Sequence, residues 1–398
     1  MSDQFAQRDE VFEQIMKQNQ SSNPSFGPKT FVGRRIVALI TMFLIVGFIS
    51  ASWSVGRAVT TSVNDPISAK LAEWGRDHWL GSIVTGLESL QYRLNPPKIG
   101  GSPNAIALGS RGGAPLSSIL PGSALQKSIP PMVLPALKNE GKFKSVVAVN
   151  GTSVVQVAYL RPDRLHTSYL SAVVWISGKH SRLSQHPGTS DPGRLSLWSQ
   201  IPRVSRSAVS GLVATFNGGF KIKDSRGGFY ENGHTIGVLR RGAASLVVYK
   251  NGTTNIGAWG SEVRMGADVV SVRQNLQLLL QNGKLASNLD AAVRSNWGVT
   301  VGPTTDVWRS GIGITANGDL VYVVGDALSA HSLAALLKRA GAVRAMQLDI
   351  NRTWISFMWF SHARNARTLT PHKVLNFQRP ANRYFYPTSR DFFAVYYR

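Results

Sequence analysis

The chain has 398 residues, 43% of them apolar, which is enough for a sizeable core and excludes an intrinsically disordered protein. Lysine and arginine number 44 against 21 aspartate and glutamate, a formal charge of +23 that draws polyanions to the protein whatever its fold. Zero cysteines exclude disulfides and thiolate metal sites, and none of the eight histidines is paired with another at i, i+4, the spacing that holds zinc on a helix.

In chain order, the first strong signal is Ile36–Trp53, 18 residues without a charge. As a helix it just spans a hydrocarbon core of about 30 Å. Ser50-Ala51-Ser52 resembles a signal-peptidase site, yet signal peptides rarely carry about 35 polar residues ahead of the apolar core, so an uncleaved anchor over residues 34–55 is expected. Lys29, Arg34 and Arg35 precede it and only Arg57 follows closely. The positive-inside bias then makes residues 1–33 a cytoplasmic tail and the rest an extracytoplasmic portion of a single-pass cell-membrane protein. Nearly all the positive charge falls outside, where nucleic acid is not an expected partner and anionic lipid headgroups or phosphate-bearing envelope polymers are.

Asp65-Pro66 is a helix start, and Ile67, Leu71, Trp74, Ile83, Leu87 and Leu90 recur at spacings of three, four and their sums. This predicts a juxtamembrane amphipathic helix over 66–94. Its apolar face, with Trp74 and Trp79, has three candidate neighbours: the membrane, a second copy through residues 66–92, or the main domain. Residues 95–129, rich in Gly, Pro and Ser, read as a flexible linker before a globular domain over 130–398.

Within that domain, Asn-Gly dipeptides at 150–151, 232–233, 251–252, 282–283 and 317–318 separate short apolar or alternating runs, the strongest local signal for hairpins. Asn150, Asn251 and Asn351 also begin Asn-X-Thr sequons, which matter only in a host that glycosylates. Val146–Val149 precedes Val154–Tyr159, and Ile312–Thr315 precedes Leu320–Val324. A helix over Ser332–Ala340 puts Leu333, Leu336 and Leu337 on one face and stops at Gly341, and a strand over Val343–Leu348 follows. The expected class is α+β, a mainly antiparallel β-sheet domain with a few flanking helices, preceded by one transmembrane helix.

Three segments carry candidate chemistry. Ala214–Phe220 runs a strand into Asn217, Gly218 and Gly219; it is either a further Asn-Gly turn or a place where backbone N–H groups approach a phosphate or sugar. Arg309 offers a planar fork for phosphate or carboxylate, though one arginine in so basic a chain is background. Ala345–Leu348 delivers Asp349, Asn351 and Arg352 at a strand end, where a scaffold fixes side chains beside an open loop. Only twelve carboxylates follow residue 140, which raises the prior for each. No cofactor is expected. A divalent cation could take Asp349, Asp326 and Asp268 as oxygen ligands, but no spaced acidic loop supports one.

Taken in order, Asn217-Gly218-Gly219-Phe220, the run Arg273-Gln274-Asn275-Leu276 with Gln281-Asn282-Gly283, Arg309-Ser310-Gly311-Ile312-Gly313, and Ala345-Met346-Gln347-Leu348-Asp349 resemble the phosphodiester glycosidase domain family over roughly residues 210–360. That family includes the lysosomal enzyme that uncovers mannose-6-phosphate and many bacterial envelope proteins. The resemblance implies hydrolysis of a sugar joined through its anomeric carbon to a phosphodiester. It implies Asp349, Asn217 and Arg309 as catalytic residues and Gly218, Gly219, Arg352, Asn351, Gln274 and Asn275 as substrate-binding ones. The family usually reads Leu-Asp-Gly-Gly-Gly-Ser at the last motif, where this chain reads Leu348-Asp349-Ile350-Asn351-Arg352-Thr353.

A phosphodiester is already a weakly basic leaving group, so it needs less acid catalysis than an alkoxide. One carboxylate, Asp349, would activate water or stabilise an oxocarbenium-like centre, while Arg309, Arg352 and the amides near Gly218-Gly219 receive the departing phosphate. The expected protein is an anchored hydrolase acting on envelope glycopolymers. The alternative is an inactive relative that binds anionic polymer or serves as a subunit of a membrane complex.

Overall fold

The computed structural model describes residues 28–60, 65–103, 124–290, 294–298, 306–362 and 369–398. The expected tail over 1–27 and the middle of the expected linker, 104–123, lie outside the described residues. The chain divides into two compact units, Met1–Thr61 and Ser62–Arg398. In the first, α1 (Pro28–Thr60) is longer at both ends than the expected anchor, and its stretch Gly33–Thr60, which contains an 18-residue window with a mean hydropathy of 2.3, is long and apolar enough to cross a membrane.

The second unit opens with α2 (Ile67–Asp77) and α3 (Gly81–Leu94), two helices where the spacing predicted one. The break is local: Trp79 takes φ +70°, and Leu80 N donates to Gly75 O at 2.9 Å, the hydrogen bond that closes a helix with a left-handed residue. The helices pack back closely at Gly75, where a Cβ would come 3.2 Å from Val84. The described ends of the expected free linker are tied down instead. Gly100 N donates to Leu165 O at 2.7 Å, Gln126 N to Gln156 Oε1 at 2.8 Å, and Ile129 N to Gly141 O at 2.9 Å.

The strands are, in order, β1 (Lys144–Val149), β2 (Thr152–Leu160), β3 (Ser171–Ile176), β4 (Ser181–His186), β5 (Leu212–Asn217), β6 (Phe229–Glu231), β7 (His234–Ile236), β8 (Ala244–Tyr249) and β9 (Thr254–Ala258). There follow β10 (Val269–Gln274), β11 (Leu278–Gln281), β12 (Lys284–Leu285), β13 (Val307–Thr315), β14 (Leu320–Leu328), β15 (Ala342–Gln347), β16 (Phe357–His362), β17 (Leu369–Lys373) and β18 (Phe392–Tyr397). Short helices α4 (Ile222–Ser225) and α5 (Arg294–Trp297) interrupt them, and α6 (Ala330–Arg339) is the one long helix among the described residues of the β region.

An eight-stranded sheet runs β1-β2-β3-β14-β13-β15-β11-β12, flanked by five-stranded sheets β7-β6-β10-β8-β9 and β17-β16-β5-β18-β4. Neighbouring strands pair antiparallel throughout. The domain is therefore α+β with mainly antiparallel sheet. Each of the five Asn-Gly pairs joins two such strands, and at 150–151, 232–233 and 282–283 both residues take the positive φ of a tight hairpin.

One face of the large sheet packs on the β17–β4 sheet, where the Phe216 ring lies 5.2 Å from Phe393 and 5.4 Å from Tyr322. The other face is covered by α6, whose Leu333, Leu336 and Leu337 are fully buried against Val173, Val321 and Val323. Ser329 caps α6 by accepting from Ser332 N, and Gly341 at φ +95° ends it. Gly311 lets α6 sit close and Gly313 makes room for the neighbouring strand β15: a Cβ on Gly311 would meet Leu333 and Leu337 at 3.2 Å, and one on Gly313 would meet Ala342 at 2.6 Å.

Candidate active site

The ends of five strands converge. β5 stops at Asn217 beside the start of β18, β10 ends at Gln274, and β15 delivers Leu348 and Asp349 next to Ser310 of β13. Hydrogen bonds from Leu348 N to Ser310 O at 2.8 Å and Ser310 N to Asp349 O at 3.0 Å hold the last pair.

Asn217 lies at the base. Its Nδ2 donates to Gly218 O at 2.8 Å and Ser310 Oγ at 3.0 Å, and its Oδ1 accepts from Tyr322 OH at 2.7 Å and Ser356 N at 3.1 Å. All its hydrogen-bonding capacity is used within the protein, so it shapes the turn rather than presenting a group to a ligand. The glycines that follow make room for side chains: a Cβ on Gly218 would fall 2.2 Å from Asp391 Oδ2, and one on Gly219 3.0 Å from Asn275 Cγ. Asn275 ties this turn to the β15 end, donating to Gln347 O and Leu348 O and accepting from Phe220 N. Gln274 is likewise engaged, accepting from Gly228 N and Arg240 N and donating to Arg240 O and Ser245 Oγ. Asn217, Gln274 and Asn275 are thus positioning residues.

Asp349 is 3% exposed; its Oδ1 accepts from Asn351 N at 2.9 Å and its Oδ2 faces Arg390 Nη2 at 3.3 Å. Burial raises its carboxyl above the usual range, Arg390 and the N–H groups of Asn351 and Ile350 pull it back, and Asp391 adds to the rise. Arg390 also donates to Gly219 O at 3.1 Å and lies 5.7 Å over the Trp354 ring. Burial works against its charge, but Asp349, Asp191, Glu73 and Asp391 together raise its pKa. Asp391, which burial also raises, forks onto Arg273 at 2.7 and 3.2 Å.

Arg309, expected beside Asp349, is turned to the α6 side of β13. Its Nε donates to Leu328 O at 2.7 Å and its Nη1 to Gln347 Oε1 at 2.9 Å, leaving it 2% exposed and lowered by burial to about 10. Strand alternation explains this: Arg309 shares a face with Gly311 beneath α6, while Ser310 points to Asn217. Arg352 is exposed, 5.8 Å over the Trp308 ring, and Asn351 Oδ1 accepts from Thr353 N. The 349–353 segment is therefore two successive Asx turns in place of the family's glycines. Among the described residues, the group of three potential metal ligands that comes together is Asp163, His166 and Asp306, not Asp349, Asp326 and Asp268.

Three cations that the sequence did not single out pair with carboxylates here: Lys221, just after the Asn217 turn, and Arg379 and Arg390 near the C-terminus, of which Arg390 meets Asp349. Each is answered by a carboxylate from the start of this unit. Glu73 Oε1 of α2 lies 3.5 Å from both Lys221 Nζ and Arg390 Nη1. Asp77 bonds Lys221 at 3.2 Å and Lys223 at 2.9 Å, and Asp65 pairs with Arg379 and accepts from Ser389 Oγ at 2.9 Å. Arg379, Arg383 and Arg390 all stand over Trp354, itself 3% exposed, and Ile350 packs towards Gly298. The one sequence signal for Arg390 and Asp391 was a charged pair opening an apolar strand.

Residues 210–349 match the phosphodiester glycosidase family. That span runs from the start of β5 to Asp349 and so contains the Asn217 turn, the β10 end, β13 and β15. Among curated proteins none is a match. Among solved structures, the chain is similar to the zebrafish N-acetylglucosamine-1-phosphodiester alpha-N-acetylglucosaminidase catalytic domain, auto-inhibited by its pro-peptide, at 14% identity and a TM-score of 0.38 over 65% of this chain and 88% of that one. It is also similar to a hypothetical protein from Synechocystis, at 14% identity and 0.33 over 65% of this chain and 64% of that one. The likeness to the phosphodiester glycosidase family rests on the sequence match over residues 210–349 alone.

Proposed function

We propose that the chain is a membrane-anchored hydrolase of glycosyl-1-phosphodiester linkages in anionic envelope glycopolymers, and that α2 covers its site. The observation that carries this is Glu73: its carboxylate bridges Lys221 and Arg390, and the same Arg390 guanidinium meets Asp349. A phosphate in the place of that carboxylate would sit one guanidinium away from the candidate base.

In this reading Lys221 and Arg390, rather than Arg309, receive the departing phosphate, because they are the cations that meet an anion here. Asp349, ionised, activates water or stabilises positive charge developing at the anomeric carbon. The Arg273–Asp391 pair holds the Gly218-Gly219 turn against Arg390, and Trp354 gives the guanidinium a flat face to rest on. Raised by burial, Asp349 ionises only at a pH above the usual carboxylate range, so hydrolysis rises with pH through that step.

The test uses the full-length protein in detergent and a panel of glycosyl-1-phosphodiesters. Glu73→Gln with Asp77→Asn should increase sugar release by loosening α2, and Asp349→Asn in that background should reduce it by roughly 10²–10⁴-fold. Unchanged release in the Asp349→Asn protein removes Asp349 from the mechanism. The binder reading has its own observation, since Asp349, Arg390 and Asp391 are all 7% exposed or less. It is favoured if the loosened protein retains anionic polymer and releases no sugar.

A further inference from the structure

The α2–α3 hairpin has two unlike faces. Glu73 and Asp77 point into the cationic site. Outward, α3 carries Ile83, Leu87, Leu90 and Leu94, exposed by 58, 63, 50 and 70%. Spacings of four, three and four put them on one helix face. Trp79, 98% exposed, projects from the turn with Leu80 beside it, and the exposed Lys98 and Ile99 follow the end of α3. A stripe of this size standing in water is unfavourable by on the order of 1 kcal/mol for each half-buried aliphatic side chain that could be covered.

We infer that this stripe is a docking surface for the lipid bilayer, with α3 lying in the interface and Trp79 at headgroup depth. The inference rests on the reading of α1 as a membrane anchor. Two observations choose lipid over a second copy. Only residues 61–66 separate α1 from α2, a chain segment that reaches no more than about 25 Å when extended, so every copy brings its hairpin to the bilayer at any protein concentration. The composition also suits an interface: one aliphatic face, an indole at the turn, and Lys98 placed for anionic headgroups.

Because the chain has no cysteine, single reporters can be placed without background. Full-length Val46→Cys, Leu87→Cys, Leu90→Cys and Thr253→Cys would each carry a polarity-sensitive fluorophore in vesicles of phosphatidylcholine and phosphatidylglycerol containing nitroxide lipid. The expected result is a blue shift and strong lipid quenching at 46, 87 and 90, and neither at 253. Labels at 87 and 90 that behave like 253 while 46 is quenched overturn the inference and leave the anchor standing. A label at 46 that escapes quenching overturns the anchor and the inference with it. Disulfide-linked dimers at 87 with no lipid quenching assign the stripe to a second copy and also overturn it.

Discussion

Two helices cover the β structure of the second unit in opposite ways. α6 is held by apolar side chains: Leu333, Leu336 and Leu337 are fully buried, and Gly311 in β13 lets it sit close. α2 buries only Ala69 and Gly75 along its own length and is held by carboxylates reaching Lys221, Lys223 and Arg390. Apolar attachment is insensitive to ions and lost only when the layer unfolds. Ionic attachment can be exchanged for another anion, which is what a cover over the proposed phosphate-binding site requires.

The largest expected effect is on the apolar side. Leu336→Ala should cost about 2–5 kcal/mol, read as a lower thermal midpoint that does not move with salt. Gly313→Val, forcing a Cβ towards Ala342, should cost about 1–3 kcal/mol by the same measurement, with the hairpin β13–β14 the first region to lose hydrogen-exchange protection. Asp77→Asn should cost only about 0.2–1 kcal/mol per pair, because the Asp77 side chain is 48% exposed and its attraction is screened. Its signature is faster amide exchange confined to α2, a change that 1 M salt reproduces in the unmodified protein. If salt loosens α6 as much as α2, the contrast between the two helices is wrong.

The smallest effect is the pH dependence of α2 attachment. Although burial acts the other way, Lys223 and Lys221 hold Asp77 below the usual carboxylate range. Its contribution is therefore full above the ordinary carboxylate pKa and lost as pH falls through the lowered value. Asp77 raises Lys223, whose contribution is full below the ordinary lysine pKa and lost as pH rises through the raised value. Protection of the α2 amides relative to their intrinsic exchange rate should thus be greatest across the neutral range and fall at both extremes.

Much of the fold was legible because its causes are local. The Asn-Gly hairpins need only tight-turn chemistry at two residues, and α6 announces itself by a leucine stripe and a glycine stop. The single helix expected over 66–94 failed at Trp79, because a left-handed break at a tryptophan has no compositional mark. In the site, Asp349 could be read from its place at a strand end. Arg309 could not, since which face of β13 it occupies depends on the register against β15 and on where α6 lies. Lys221 and Arg390 went unnoticed among 44 basic residues, because what distinguishes them is a shared carboxylate far away in the chain.

The sequence by itself determined an apolar N-terminal helix, an antiparallel α+β domain and a phosphodiester glycosidase motif set ending in Asp349, all of which follow from periodicity, turn chemistry and short motifs. Tertiary structure alone decided that Arg390 faces Asp349, that Asn217 and Asn275 are spent on holding the turn and Gln274 on the 228–240 loop, and that α2 lays its carboxylates on Lys221, Lys223 and Arg390. Those outcomes depend on which side of a strand a residue falls and on charges brought together from distant segments, and no local pattern in the chain encodes either.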